Sequence, residues 1–143
     1  MTTIDHIGIA VHDIQAAARL YTEGLGLSLD HIEDVTAQGV RAASITVGES
    51  SIELLEPLGE QSPIAGFLEK RGEGIHHISL RVADIRAAMA ALKAQGARLL
   101  QEEPVRGVGG ALVAFVHPRS ANGVLLELSQ PGEIGDKEMG EGA

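Results

Sequence analysis

The sequence predicts an α+β fold made of two βαβββ modules, and three observations carry that expectation. The stretch Gly74-Ile75-His76-His77-Ile78-Ser79-Leu80-Arg81-Val82-Ala83-Asp84-Ile85 has a weaker copy near the N-terminus, His6-Ile7-Gly8-Ile9-Ala10-Val11-His12-Asp13-Ile14; an offset of 71 positions superposes His6 on His77, Ile7 on Ile78, Val11 on Val82, Asp13 on Asp84 and Ile14 on Ile85. In each copy a run of period-two apolar residues ends at an Asp that opens an Ala-rich run of period 3.6, the pattern of a strand leading into an Asp-capped helix. Three further strand-like runs then follow each helix.

Taken in order, the first strand covers about 3–11, with Ile7, Ile9 and Val11 on one face and His6, Gly8 and Ala10 on the other. Asp13 caps a helix to about residue 23 with Ile14, Ala17, Ala18 and Tyr21 on one stripe, and Gly24 and Gly26 stop it. Strands are expected at about 27–32, 40–47 and 51–57, the last two joined by the Gly48-Glu49-Ser50 turn. Pro63 opens a linker helix over 63–71. The second half starts with a strand from Ile75 that places His77, Ser79 and Arg81 opposite Ile78, Leu80 and Val82. A helix over 84–95, with Ile85, Met89 and Leu92 inward, leads to strands near 98–101, 111–116 and 123–128, with Asn122-Gly123 in the turn before the last. The modules thus occupy about 3–58 and 74–130 of one domain, 1–130; the acidic, Gly-rich segment 131–143 lacks apolar periodicity and is expected to be disordered.

A chain of 143 residues is long enough to bury roughly 68 % of its unfolded surface as one unit. The net charge of −9 argues against a nucleic-acid partner, and with Phe67, Phe115 and Tyr21 its only aromatic residues it has no stacking platform for bases. No run approaches a membrane span, and the first residues lack the layout of a secretory signal, so a soluble cytoplasmic protein is expected. Without cysteine, any metal must be held by His, Asp, Glu or water.

Glu53, between Ile52 and Leu54, and Glu127, between Leu126 and Leu128, each sit in the last strand of a half. Singly, each reads as a glutamate that alternation turns to solvent, and His6 or His77 as a core histidine with a satisfied ring. Together they occupy the first and last strands of two related halves. If the halves form a curved mixed sheet around a shared cleft, His6, Glu53, His77 and Glu127 converge on a divalent metal such as cobalt, nickel, manganese, iron or zinc. His76 reads as a packed ring or one that supports a ligand from behind, His12 and His31 as surface residues, and His117 as a turn anchor or a ligand contact. Arg119 and Ser120 read by default as a solvated turn, with binding of an anionic group as the alternative, and Gly107-Val108-Gly109-Gly110 has no helix start after it to make a phosphate loop.

HIGIAV, IELLEPLG with SPIAGFLEK, GEGIHHISLRV and HPRSANGVLLEL resemble the methylmalonyl-CoA epimerases of the vicinal oxygen chelate superfamily, over about residues 3–130. HHIS followed by HP-x-S-x-x-GVLLEL is the more specific part, since HIGIAV is common to the superfamily. The resemblance implies paired βαβββ modules, an acyl-CoA substrate and a homodimer. It also implies a divalent metal, cobalt foremost, on His6, Glu53, His77 and Glu127, with Glu53 where some members have Gln and with Glu127 also a catalytic base. The implied reaction interconverts (R)- and (S)-methylmalonyl-CoA by α-proton abstraction through a metal-stabilised enediolate. Some bacterial members carry a glutamate two residues beyond the Val of QGV, considered the opposing base; here Gln38-Gly39-Val40 is followed by Arg41 and Ala42. That leaves the second proton donor open among Glu53, a metal-bound water and a further group. Rival readings are a lactoylglutathione lyase, a ring-cleaving dioxygenase and a non-catalytic binding protein of the same fold.

Overall fold

A computed structural model describes residues 2–132. The part of the tail expected to be disordered that lies beyond Gly132 falls outside the described residues. The first half runs β1 (Thr3–Ala10), α1 (Ile14–Arg19), β2 (Leu29–Val35), β3 (Val40–Val47) and β4 (Ser50–Pro57); α2 (Pro63–Arg71) follows. The second half runs β5 (Gly74–Arg81), α3 (Ile85–Ala94), β6 (Val105–Arg106), β7 (Leu112–Val116) and β8 (Leu126–Gln130). Strand, helix and three strands recur, so the predicted α+β class and doubled βαβββ order are what the chain adopts. Among the described residues no helix is long and apolar enough to cross a membrane.

Two compact units divide the chain, and β5 is shared between them. One spans Asp5–His77. In it the strands hydrogen-bond in the order β2-β3-β4-β1-β5, with β1 and β4 parallel and β2, β3 and β4 antiparallel. Its core lies where α1 covers one sheet face: Val11, Ile14, Ala18, Ala43, Ile45 and Leu54 are buried together, and Ala17, Tyr21 and Leu29 pack against them. Asp13 caps α1 by accepting from the N–H of Gln15. The helix expected to residue 23 keeps α-geometry only to Arg19 and widens into a π-helical turn over Leu20–Gly24. There the Thr22 hydroxyl donates to the Ala18 carbonyl at 3.1 Å, a back-bond that competes with the regular ladder.

The other unit takes the described residues from Ile78 together with the start of β1. Its ladder is β5-β8-β7-β6, with β5 and β8 parallel. The apolar stripe of α3 packs Ile85 and Met89 with Val82, Ala114 and Leu128, and Leu92 lies against them, as its spacing predicted. Asp84 accepts from the Ala87 N–H and caps this helix. One strand is corrected. The segment 98–101 forms only a bridge, Leu99 to Val116, and the ladder resumes at Val105. Its backbone does meet β7, with the Leu100 N–H donating to the Phe115 carbonyl at 2.8 Å. The Phe115 N–H, however, donates to the side-chain oxygen of Gln101 at 2.8 Å, so a side chain replaces the main-chain acceptor, and Pro104 has no N–H to continue the strand.

Candidate active site

The parallel register of β1 on β4 places Gly8 directly opposite Glu53, and that of β5 on β8 places Ser79 directly opposite Glu127. In both halves the glutamate therefore faces the residue two positions after the repeated histidine, on the side of the strand away from the helix. His6, Glu53, His77 and Glu127 are all buried, between 5 % and 7 % exposed. Charged or ionisable side chains are kept there only when paired or engaged.

Within the unit 5–77 His6 meets two of the other three candidates. His6 Nε2 lies 3.0 Å from His77 Nε2 and 3.4 Å from Glu53 Oε1, and the two imidazole rings meet edge to face, 5.1 Å between centroids at 89°. The opposite nitrogens are tied back. His6 Nδ1 is 2.7 Å from Asp5 Oδ2, which fixes that proton on Nδ1 and leaves Nε2 with its lone pair. His77 Nδ1 is 3.0 Å from His76 Nδ1. His76 in turn packs edge to face on Phe67 of α2, and Arg71 lies over the Phe67 ring. Asp5 and His76 are thus the residues behind the two imidazoles. The adjacent doubled histidine signalled His76; Asp5 lies only one position before His6 and carried no pattern.

Gly8 was missed as well, and its role is spatial. A Cβ built there would lie 2.6 Å from His77 Nδ1 and 2.8 Å from Nε2, and nearer still to Cε1. Only a residue without a side chain lets the His77 ring lie across β1.

The donor set suits a metal. Ligands held about 2.0–2.1 Å from a divalent ion are about 2.9 Å apart at right angles and about 3.4 Å apart at tetrahedral angles. The separations of 3.0 and 3.4 Å fall on those two values. In the other unit, Glu127 on β8 pairs with Phe115 of β7 and Ser79 of β5. The Ser79 hydroxyl is fully buried and has no hydrogen-bond partner among the described residues.

The remaining candidates resolve simply. His117 Nδ1 accepts from the Arg119 N–H at 2.9 Å and anchors its turn, and His12 is exposed. Gly107 is extended and precedes a 3-10 turn, Val108–Gly110, which leads into β7 and not into a helix. Ala42 is buried in β3 between Glu33 and Leu55. Arg41 alternates to the other face, where Nε donates to Asp34 Oδ1 at 2.7 Å and Nη1 lies 3.6 Å from Glu56 Oε2. The hydrogen bond from Arg41, with its charge, holds the Asp34 carboxyl below its ordinary range, and Asp34 in return raises Arg41.

A two-module α+β protein with a buried cluster of imidazoles and carboxylates is the class that this fold and site define. Residues 5–115 match the family model described as Glyoxalase/Bleomycin resistance protein/Dioxygenase superfamily. The ethylmalonyl-CoA/methylmalonyl-CoA epimerase of Cereibacter sphaeroides is 49 % identical over 129 residues, covering 89 % of this chain and 96 % of that protein. Among solved structures, methylmalonyl-CoA epimerase from Mycobacterium tuberculosis superposes with a TM-score of 0.87 at 43 % identity, covering 90 % of this chain and 87 % of that one. A methylmalonyl-CoA epimerase in complex with methylmalonyl-CoA and NH4+ superposes at 0.89 with 40 % identity, covering 92 % and 96 %. The chain belongs to the glyoxalase superfamily and, within it, to the methylmalonyl-CoA epimerase family of isomerases.

Proposed function

We propose that this protein interconverts (R)- and (S)-methylmalonyl-CoA in the cytoplasm, as a homodimer, with a divalent ion, cobalt foremost, on His6, Glu53, His77 and Glu127. The observation that carries the reading is that His6 Nε2 lies 3.0 Å from His77 Nε2 and 3.4 Å from Glu53 Oε1, with both imidazole Nδ1 atoms held from behind. Glu127 completes the set by the repeat, since it holds in its half the register position that Glu53 holds in the other.

The carbon between a thioester and a carboxylate carries an acidic proton. A divalent ion, when bound by these residues, would supply positive charge to stabilise the negative charge left by deprotonation. The chain's own residues do the rest. Asp5 and His76 hold the two imidazoles from behind, and Glu127 takes the α-proton from one face of the substrate. Burial excludes water and strengthens each of these interactions.

Purified protein, analysed for metal and offered each epimer separately in D2O, is expected to form the other epimer and to wash deuterium into the α-position. Chelation should abolish both and a divalent ion restore them. A metal-loaded protein that leaves both epimers unchanged, or that instead forms lactoylglutathione from the methylglyoxal–glutathione adduct, refutes the reading. Sedimentation of a monomer at micromolar concentration refutes the dimer.

A further inference from the structure

Inversion at carbon needs a proton removed on one side and another delivered on the other, and Glu127 serves one side only. The register within the unit 5–77 identifies which groups share a face with Glu53. Gly8, Glu53 and Ser44 pair in a row across β1, β4 and β3, and Ser44 pairs with His31 of β2. The next row is Ala10, Leu55, Ala42 and Glu33. Directly paired residues project from the same face. In these two rows the titratable side chains outside the proposed ligand set are His31 and Glu33.

A bulge puts them there. Leu29 pairs with Ile45 and packs into the core under α1, so regular alternation would turn His31 and Glu33 to that side too. The register shifts between Leu29 and His31, with Asp30 as the extra residue. Asp30 pins the irregularity by accepting from the Thr46 N–H at 3.0 Å and from the Thr46 hydroxyl. Beyond it His31 faces with Ser44 and Glu33 with Ala42; bulges beside active sites re-aim side chains in this way. His31 Nε2 lies 2.7 Å from Glu33 Oε1, and the Glu33 side chain is only 27 % exposed. Ala42 contributes a methyl group alone, so no longer side chain stands between Glu33 and β4 in its row, and adjacent strands are only about 4.8 Å apart.

We propose that Glu33, held by His31, is the second acid–base group of the epimerisation. The inference rests on the proposed activity. In one direction the Glu33 carboxylate takes the α-proton, the C–H electron pair passes into the adjoining carbonyl, and protonated Glu127 gives its proton to the opposite face of the same carbon. In the other direction the roles exchange. No electrons are gained or lost overall, and the two carboxyl groups reset by exchange with solvent.

The test compares Glu33→Gln, Glu33→Asp and the wild type, each loaded with metal and given each epimer in D2O. Glu33→Gln is expected to bind metal as the wild type does and to lose about 10²-fold or more of epimerisation in both directions. It should keep α-proton exchange near the wild-type rate for the epimer that Glu127 deprotonates and lose it for the other. Glu33→Asp, which retains a carboxylate one methylene shorter, should recover part of the lost rate. A merely structural role would depress exchange of both epimers together, and that outcome overturns the proposal. So does a Glu33→Gln protein that epimerises at the wild-type rate, with the proposed activity left standing. A wild type that interconverts neither epimer removes the activity and the role of Glu33 with it.

Discussion

Replacing Gly8 by alanine tests the placement of the His77 ring directly. The new Cβ would lie 2.6 Å from Nδ1 and 2.8 Å from Nε2, whereas ordinary contact begins at 3.4 Å. The ring must therefore retreat by at least 0.8 Å at Nδ1 and 0.6 Å at Nε2. Neither the ring of His6, edge-on at 5.1 Å between centroids, nor His76, 3.0 Å away at Nδ1, can follow without losing its own contact. Metal sites tolerate about 0.2 Å of error in ligand distance, so a 0.6 Å displacement is expected to cost at least the roughly 10–100-fold in metal affinity seen when a group behind a ligand is lost. Overpacking of this kind also destabilises by about 1–3 kcal/mol, a fall of several degrees in melting temperature for the metal-free protein. Titration calorimetry with a divalent ion and a thermal melt without it measure the two effects. Gly66→Ala is the control: Gly66 lies inside α2 with nothing within 4 Å of a built Cβ, and the change should stabilise by about 0.4–1 kcal/mol with no effect on metal. A Gly8→Ala protein that melts and binds metal like the wild type would show that the ring does not lie across β1.

Asp5→Asn should weaken metal binding by about 10–100-fold in the same titration, because the 2.7 Å contact that fixes the proton on His6 Nδ1 is lost. Glu127→Gln, saturated with metal, should lose about 10²-fold or more in epimerisation and retain α-proton exchange for one epimer only; exchange of both at the unmutated rate would place the base elsewhere. Arg41→Gln should let the Asp34 carboxyl rise back toward its ordinary range in an NMR titration. The sign follows from linkage: a carboxylate lowered on folding adds stability above its ordinary range and loses it as pH falls through the lowered value. Both side chains remain open to solvent, 42 % and 46 % exposed, so melting temperatures of variant and wild type should differ little between neutral pH and about pH 3.

The strands that carry His6, Glu53, His77 and Glu127 were legible because they are half-buried and alternate cleanly. In Ile52-Glu53-Leu54 and Leu126-Glu127-Leu128 one polar residue stands between two apolar ones, and no register slip is compatible with both the helix-side core and a buried glutamate. The helix stripes Ile14, Ala18 and Ile85, Met89 were legible for the same reason. Residues whose role depends on one side chain meeting another were not. Nothing in HIGIAV says that the glycine makes room for a ring 69 residues further on. The segment 98–101 has strand composition, but a single Gln101 side-chain bond to Phe115 displaces the ladder there. The β2 region was placed too early, at 27–32 instead of Leu29–Val35, because the bulge at Asp30 breaks the alternation by which a strand is recognised.

That bulge also marks where the halves stop being equivalent. Both obey one rule, a glutamate opposite the residue two beyond a histidine in a parallel pair, and in each half the rule is enforced by apolar neighbours on the helix side. Shifting β4 by one residue would drive Glu53 under α1 and turn Ile52 and Leu54 toward the histidines, setting a buried charge where the half-buried Ile52 and the buried Leu54 pack now. At up to roughly 1.5–3 kcal/mol for each large apolar side chain taken out of the core, and more for the unpaired carboxylate, the core specifies the register of Glu53 more firmly than any contact among the polar side chains does. The outer strands are free of that constraint. Opposite β3 the first half has the seven-residue β2, with its bulge, His31 and Glu33; opposite β7 the second half has the two-residue β6, which carries only Val105 and Arg106. The repeated inner strands carry the paired His and Glu positions, and the unequal outer strands confine His31 and Glu33 to the first half.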